Sequence, residues 1–335
     1  MPTVLIVGGT QVTTSDLHLL YHRAFQRIGW RSVFMSNDSH LPFGERILQQ
    51  SQLRFSRAHF ALFNHRTRRL ARQVRPDLVF ITGSNWYVMP ETVRWLQRKL
   101  GCKVALNEQH LQVFRRYQAE ALRVYDHVFV QDSGLVGLLR AASPARGVSL
   151  LGPACDPQEH RPLTLDPEER ERFGSDVCYL GYAYPNRVEL FEQLLDFRIR
   201  LWGVGWDASP SLEPRFNPEP IHGLKKTKVY NATRIVVNLQ STTYQIDGVT
   251  CRPFEVAACG GFCLTEPRKD LAAFFKPGEE TITFDDVADL RKKTAYYLAH
   301  EDERWEIAQR ARARALHEHT YEHRARQVAV AVGLG

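Results

Sequence analysis

The chain has 335 residues and a formal net charge of +7, with 44% hydrophobic and 24% charged side chains. That is the make-up of an ordinary globular protein, and the length suits two domains of roughly 100–200 residues each. No run approaches the roughly 20 apolar residues that cross a bilayer, and the positive balance favours anionic partners without choosing among nucleotide diphosphates, nucleic acid and anionic lipid.

The opening residues, Met1 to Gly9, lack a basic leader and a cleavage site and read as a first strand of a cytoplasmic protein. Gly8-Gly9-Thr10 follows that strand and lets a backbone approach a ligand closely. It is not G-x-G-x-x-G, and no acidic residue follows a second strand at the right place, so a nicotinamide fingerprint is absent. Short apolar runs then alternate with helical patterns. Strands are predicted at Val4–Val7, Ser32–Met35, Leu78–Thr82, Lys103–Leu106, His127–Val130 and Val148–Leu151. Helices are predicted at Ser15–Ile28, Gly44–Arg75, Pro90–Leu100 and Gln112–Val124. This alternation implies βαβ units and a parallel sheet covered on both faces.

Within Arg54–Arg75, seven arginines interleave with Phe55, Phe60, Leu62, Phe63, Leu70 and Val74. Such a segment can lie on an anionic membrane surface as a peripheral contact, or it is a domain helix with its apolar side in the core; the second reading carries more weight. The basic residues are spread along the chain as solvated helix faces would be, and nucleic acid is not the expected partner. Six cysteines form no C-x-x-C pair and meet no His cluster, so they read as buried reduced thiols rather than metal ligands.

From Gly152 to Ser175 the chain is polar, with four prolines and the charged run Glu168–Arg172. A linker is placed at 153–175, between an N-terminal domain over 1–152 and a second domain over 176–319. Strands recur at Val177–Leu180, Ile199–Trp202, Ile235–Leu239, Phe262–Thr265 and Thr281–Phe284. Helices recur at Asn186–Leu195, Lys226–Ala232, Pro253–Cys259, Val287–Ala299 and Asp302–His319. Ligands of open parallel sheets bind beyond the carboxyl ends of the strands.

The segment Asp247–Pro267 carries the most information. Pro253 suits a first helical turn, and Gly260-Gly261 stop a very short helix before the strand Phe262–Leu264. Unpaired N–H groups at that helix start suit a phosphate, and Glu255 in the first turn is placed to accept hydrogen bonds from a ribose diol. The bland alternative, a glutamate that complements the helix dipole, has equal weight on the residues alone. Arg187 follows the loop Gly181–Pro185, where a cation neutralises a diphosphate and assists its departure. Lys225 and Lys226 stand beside Gly223 at another helix start; a bound anion would explain lysines there, and plain solvation explains them more simply.

These segments resemble the donor-binding motif of GT-B glycosyltransferases, and in particular the CgeB-like (spore maturation protein) branch. The resemblance runs through Tyr179-Leu-Gly181, Asn186-Arg187, Leu201–Trp206, Tyr230–Leu239 and Arg252-Pro-Phe-Glu255. It continues through Asp270–Phe275, Gly278-Glu-Glu280, Asp289-Leu290, Tyr296–Leu298 and His319-Thr-Tyr321, covering most of 177–324. It implies an α/β fold of two Rossmann-like, doubly wound domains facing across a cleft, with residues 320–335 returning as a helix to the N-domain. It implies transfer of a hexose-type sugar from a nucleotide-sugar donor, without metal or other cofactor, to an acceptor that is a small molecule, glycan or lipid. Retaining members often carry two glutamates with seven residues between them; here Asp247 stands at the first position, so the stereochemistry stays open.

The donor set under this resemblance is Glu255, Asp247, Arg187, Gly248, Val249, Thr250, Lys226 and Gly181. Gly8, Gly9 and Thr10 become an acceptor-side loop. If transfer inverts, Glu108 or His110, at the end of the strand Lys103–Leu106, could deprotonate an acceptor hydroxyl, with Asp16 and His18 competing. No D-x-D, G-K-S/T loop or G-x-S-x-G elbow is present. The competing functions are a nucleotide-sugar epimerase on the same fold and a non-catalytic structural or nucleic-acid-binding protein.

Overall fold

A computed structural model describes residues 1–8, 17–36, 57–83, 88–108, 119–142, 147–219, 221–240 and 245–335. The chain forms two compact units. Unit 1 holds Met1–Gly152, Thr242–Gly248 and Tyr321–Gly335; unit 2 holds Pro153–Ser241 and Val249–Thr320.

Unit 1 is built on six parallel strands: β1 Thr3–Gly8, β2 Arg31–Ser36, β3 Leu78–Thr82, β4 Lys103–Glu108, β5 His127–Val130 and β6 Val148–Leu150, in the order β2-β1-β3-β4-β5-β6. Strand β1 lies between β2 and β3, with Ile6 opposite Phe34 and Phe80. Every residue of β1 and β3 is buried, which is why they read as unbroken apolar runs rather than alternating ones. The helices are α1 Leu17–Arg27, α2 Arg57–Val74, α3 Pro90–Leu100, α4 Ser133–Ala142 and, from the end of the chain, Tyr321–Ala331. Helix α3 starts with proline in its first turn and ends on Gly101 in the left-handed region (φ 69°), whose N–H closes on Gln97.

Helix α2 buries Phe63, Ala71 and Val74. Its Arg68 donates to the Thr92 hydroxyl at 2.9 and 3.1 Å, and Arg72 lies 4.6 Å from the Trp95 ring centre on α3. The apolar side of the basic segment therefore faces the core, and two of its arginines are engaged by α3. The stretch 44–56 of the predicted helix lies outside the described residues, as does 112–118 of the helix predicted at Gln112–Val124; what is described there, Ala119–Val124, is a 3-10 turn. Among the described residues no helix is long and apolar enough to cross a membrane.

Unit 2 repeats the plan with β7 Ser175–Tyr182, β8 Ile199–Val204, β9 Phe216–Asn217, β10 Thr233–Asn238, β11 Cys263–Thr265 and β12 Ile282–Thr283, ordered β12-β11-β10-β7-β8-β9 and parallel throughout. Its helices are α5 Pro167–Phe173, α6 Pro185–Glu192, α7 Gly223–Ala232, α8 Arg252–Ala258, α9 Leu271–Phe274, α10 Val287–Ala299 and α11 Glu301–Glu318. The helix at Tyr321–Ala331 is α12. Its Tyr321 meets Tyr21 of α1 edge-on at 5.2 Å, Glu322 pairs with Arg27 at 2.6 Å, and Arg324 donates to the Gly152 carbonyl at 2.8 Å, all inside unit 1.

Two boundaries differ from the sequence reading. The stretch expected as a linker is part of unit 2: Cys155 bridges Thr320, the Leu163 N–H donates to Asn231, and Leu165 and Phe173 are buried. Its charged run is helix α5, started by a capping box in which Asp166 and Glu169 satisfy each other's backbone N–H. The second difference is residues 245–248, which belong to unit 1 rather than to the second domain.

Candidate active site

In unit 2 the strand order reverses between β7 and β10, the position where open α/β sheets bind ligands. The carboxyl ends of these strands carry Leu180, Gly181 and Tyr182 on one side and Asn238, Leu239 and Gln240 on the other. Gly181 of β7 lies opposite Gly203 of β8. A Cβ on Gly203, whose φ is 128°, would sit 2.1 Å from the Gly181 carbonyl oxygen. A Cβ on Gly181 would sit 2.7 Å from the Tyr179 hydroxyl. The pair leaves bare backbone at the sheet edge because no side chain fits.

Arg187 occupies the first turn of α6 and is buried, 8% exposed. Its guanidinium donates to the Tyr182 carbonyl at 3.1 Å and lies 4.7 Å from the Tyr184 ring centre and 5.4 Å from that of Tyr179. The alternative of a plain surface arginine is thereby removed. Arg252, at the start of α8, approaches the same Tyr179 ring at 4.9 Å. It donates to Asn238 at 2.9 Å and to the Leu180 carbonyl, tying the ends of β10 and β7 together. Two guanidinium groups thus share one tyrosine, and neither has an ion-pair partner among the described residues. Arg252, Tyr179 and Asn238 stood in the family-like segments but were given no role from the sequence; the signal for Arg252 was its step to Pro253, since the residue just before that proline starts the helix at the strand ends.

Around Asn238 the polar groups are matched. Its side chain accepts from the Thr250 hydroxyl at 2.8 Å and donates to Thr265 at 2.8 Å. The Thr250 N–H reaches Gln240 at 3.1 Å, and Val249 is fully buried beside it.

Glu255 differs from its expectation. The carboxylate left free for a ribose diol in the sequence reading is 2% exposed and engaged on both oxygens. Oε1 takes a 2.8 Å ion pair from Lys226 Nζ, and Oε2 accepts from the Tyr230 hydroxyl at 3.1 Å. Lys226 and Tyr230 are four residues apart on α7, so one helix face delivers both. The anion that explains a lysine at this helix start is Glu255 itself, and the solvated reading holds only for Lys225, which is half-exposed and pairs with Glu219 at 3.0 Å. Burial works against ionisation of Glu255, but Lys226 outweighs it, and the carboxyl is held down at about 2. His160 completes the cluster with Nε2 3.8 Å from Glu255 Oε1; burial pushes its pKa below the usual imidazole value. His160 was not identified from the sequence, and Tyr230 stood in a family-like segment without a role, since nothing local links either residue to Glu255.

The remaining predicted residues are placed elsewhere or not described. Asp247 and Gly248 belong to unit 1, where the Asp132 carboxylate accepts from the N–H groups of Ile246 at 2.6 Å and Asp247 at 3.1 Å. A Cβ on Gly248 would crowd Asp132 at 3.0 Å. Also in unit 1, Glu108 is the buried last residue of β4, opposite Val130, and Gly8 ends β1 with room for no Cβ against His18 at 2.9 Å. Asp16, His110, Gly9 and Thr10 lie outside the described residues. A hollow of about 720 Å³ ringed by Arg94, Arg98, Lys103 and Arg123 opens at the amino-terminal end of β4, the opposite edge of that sheet from Gly8 and Glu108. All six cysteines are free. Among the described residues no group of three or more His, Cys, Asp or Glu is arranged to hold a metal ion.

Residues 187–329 match the family model described as Glycosyl transferase-like. Spore protein CgeB of Bacillus subtilis (strain 168) is 30% identical over 156 residues, 41% of this chain and 47% of that relative, so the likeness spans about half of its length. Among solved structures, sucrose-phosphate synthase from Thermosynechococcus elongatus superposes with a TM-score of 0.70 at 13% identity, over 98% of both chains. Anabaena HepE in complex with UDP and glucose gives 0.64 at 11% identity, over 99% of this chain and 100% of the other. At such identities these likenesses establish the fold, the two Rossmann-like domains of GT-B.

Proposed function

From the premise that this chain is a GT-B relative of CgeB with a glycosyl transferase-like C-terminal half, we propose that it moves a sugar from a nucleotide-sugar donor to an acceptor, with the donor held by unit 2. The observation that carries this reading is the Arg187–Tyr179–Arg252 arrangement at the β7/β10 switch point. Two cations without carboxylate partners among the described residues stand beside a glycine-lined backbone edge, where a diphosphate finds charge and close approach together. Arg252 is committed to Asn238 and Leu180, so it fixes the edge and supplies field. Arg187 uses one of five donors on Tyr182, which leaves the others for the leaving diphosphate in this reading. In this reading no metal is required, because the arginines meet the charge that develops on the leaving group. Glu255 takes the ribose hydroxyls: an ionised carboxylate has about four lone-pair sites, and Lys226 and Tyr230 occupy two. In the same proposal Asp247 is assigned to the transferred sugar and Glu108 or His110 to the base for the acceptor, with a hexose as the expected cargo. HepE has been solved with UDP and with UDP-glucose, which makes UDP-sugars the first donors to try.

The test is a thermal-shift screen of nucleotide sugars followed by a transfer assay in chelator. A donor at about 100 times its Kd raises stability by about 2.7 kcal/mol. The expected result is a Tm rise with one donor class and acceptor-dependent release of nucleoside diphosphate. No shift with any nucleotide sugar overturns the proposal, and release of an isomerised sugar nucleotide without acceptor replaces it with epimerisation.

A further inference from the structure

His160 sits in the turn that begins at Asp156, with its N–H closed on the Asp156 carbonyl at 2.7 Å. Its side chain is wholly buried. The Asp156 N–H donates to Nδ1 at 3.1 Å, which fixes the tautomer: Nδ1 accepts, so the proton is on Nε2. Among the described residues that Nε2–H has no hydrogen-bond partner. It points into the cluster at 3.8 Å from Glu255 Oε1 and 4.0 Å from Glu159 Oε1, both beyond hydrogen-bond reach. The other charged groups facing it are Lys226, which pairs with the same carboxylate oxygen, and Asp156. A buried donor left unmade costs about 1–3 kcal/mol, and an orphan of this kind calls for a reason.

The geometry supplies one. Oε1 is held by Lys226 at 2.8 Å, and Oε2 by Tyr230. A carboxylate so held is stable but not aimed at a ligand. We propose that His160 is a positioning residue of the donor site: when a nucleoside diphosphate binds, its Nε2–H closes onto Glu255 Oε1 and turns the carboxylate so that its remaining lone pairs accept the ribose diol. This rests on the reading that Glu255 contacts the ribose. Movement of less than 1 Å brings 3.8 Å into hydrogen-bond range, within what a side chain explores without repacking. Neutral histidine suits the task, since a second full charge beside Lys226 would be repelled.

The experiment compares the full chain with His160→Phe, which keeps the volume and removes the donor, and His160→Gln, which restores an N–H near the Nε2 position. Calorimetry is run with the tightest binder among UDP, GDP and ADP, with its 2′-deoxy counterpart, and with inorganic pyrophosphate. The unsubstituted chain is expected to prefer the ribonucleotide about tenfold. His160→Phe is expected to lose most of that preference while pyrophosphate affinity stays within twofold, and His160→Gln to recover it. A preference retained in His160→Phe overturns the role. So does an equal loss for all three ligands, which marks a structural residue. If the unsubstituted chain binds the nucleotide without preferring ribose, the Glu255 reading falls and His160 with it. If it binds none of the three, the donor-site reading itself falls. Should His160→Phe fail to fold, the imidazole ¹⁵N–¹H resonance of the unsubstituted chain reads the same contact: the nucleotide shifts it downfield and pyrophosphate does not, while an unmoved resonance overturns the proposal.

Discussion

Lys226 and Glu255 form a 2.8 Å ion pair in the interior of unit 2, with the Tyr230 hydroxyl on the other carboxylate oxygen. Removing one partner of such a pair strands a buried charge, which costs about 3–5 kcal/mol, whereas removing both together is close to neutral. Glu255→Gln is therefore expected to lower stability by that order, and Lys226→Met with Glu255→Gln to restore most of it. Denaturant titration of the two single variants and the double variant checks this through its non-additivity; additive losses would mean the pair is not coupled.

The same pair sets a pH dependence. Glu255 titrates near 2 in the folded chain and near 4.5 unfolded, so its contribution is complete above about pH 4.5 and is lost as pH falls through 2. The folded state binds the proton less readily, and the unfolded state takes it up first. A shift of this size corresponds to about 3 kcal/mol. The stability gap between the unsubstituted chain and Glu255→Gln is expected to be flat from pH 5 to 8 and to narrow below pH 4.5. A gap that is constant down to pH 3 contradicts the assignment.

Gly203→Ala places a methyl group 2.1 Å from the Gly181 carbonyl oxygen at a φ of 128°. Overpacking and backbone strain each contribute on the order of 1–3 kcal/mol, and the β7–β8 edge must move. Expected are a Tm lowered by several degrees and donor affinity reduced more than tenfold. Unchanged donor affinity in a folded variant would remove this edge from the site.

How much of this was legible beforehand differs between fold and site. The strands β3 and β5 and the helices α3 and α10 match the sequence reading at both ends, because buried parallel strands are unbroken apolar runs and Pro90 and Gly101 mark helix limits. Helix α4 was not recognised: Gly134 and Gly137 lower its propensity, and packing on the sheet makes up the difference. Helix α5 was hidden because its proline and charges, with the prolines before it, read as a linker, while the burial of Phe173 is a tertiary fact. In the site, Arg187 and Glu255 were identified by their place next to strand ends. What each touches was not, since Lys226, Tyr230 and His160 reach Glu255 across as many as 95 positions, and no local pattern encodes that.

In the proposed reading the arginine pair at Tyr179 takes the place of a metal at the leaving diphosphate. Activity is expected to persist in chelator and to rise by less than twofold with magnesium or manganese, with steady-state assays as the check. Abolition by chelator and full restoration by either ion would refute it.

The central claim is that Arg187 holds the donor diphosphate at the β7 edge. A charge-assisted contact of this kind contributes about 1.5–3 kcal/mol. The direct measurement is calorimetric titration of the unsubstituted chain and of Arg187→Ala with the preferred nucleoside diphosphate and with its nucleoside. A diphosphate affinity that falls roughly 10- to 100-fold, with nucleoside affinity unchanged, is the predicted result. Equal diphosphate affinity in the two folded proteins would contradict it.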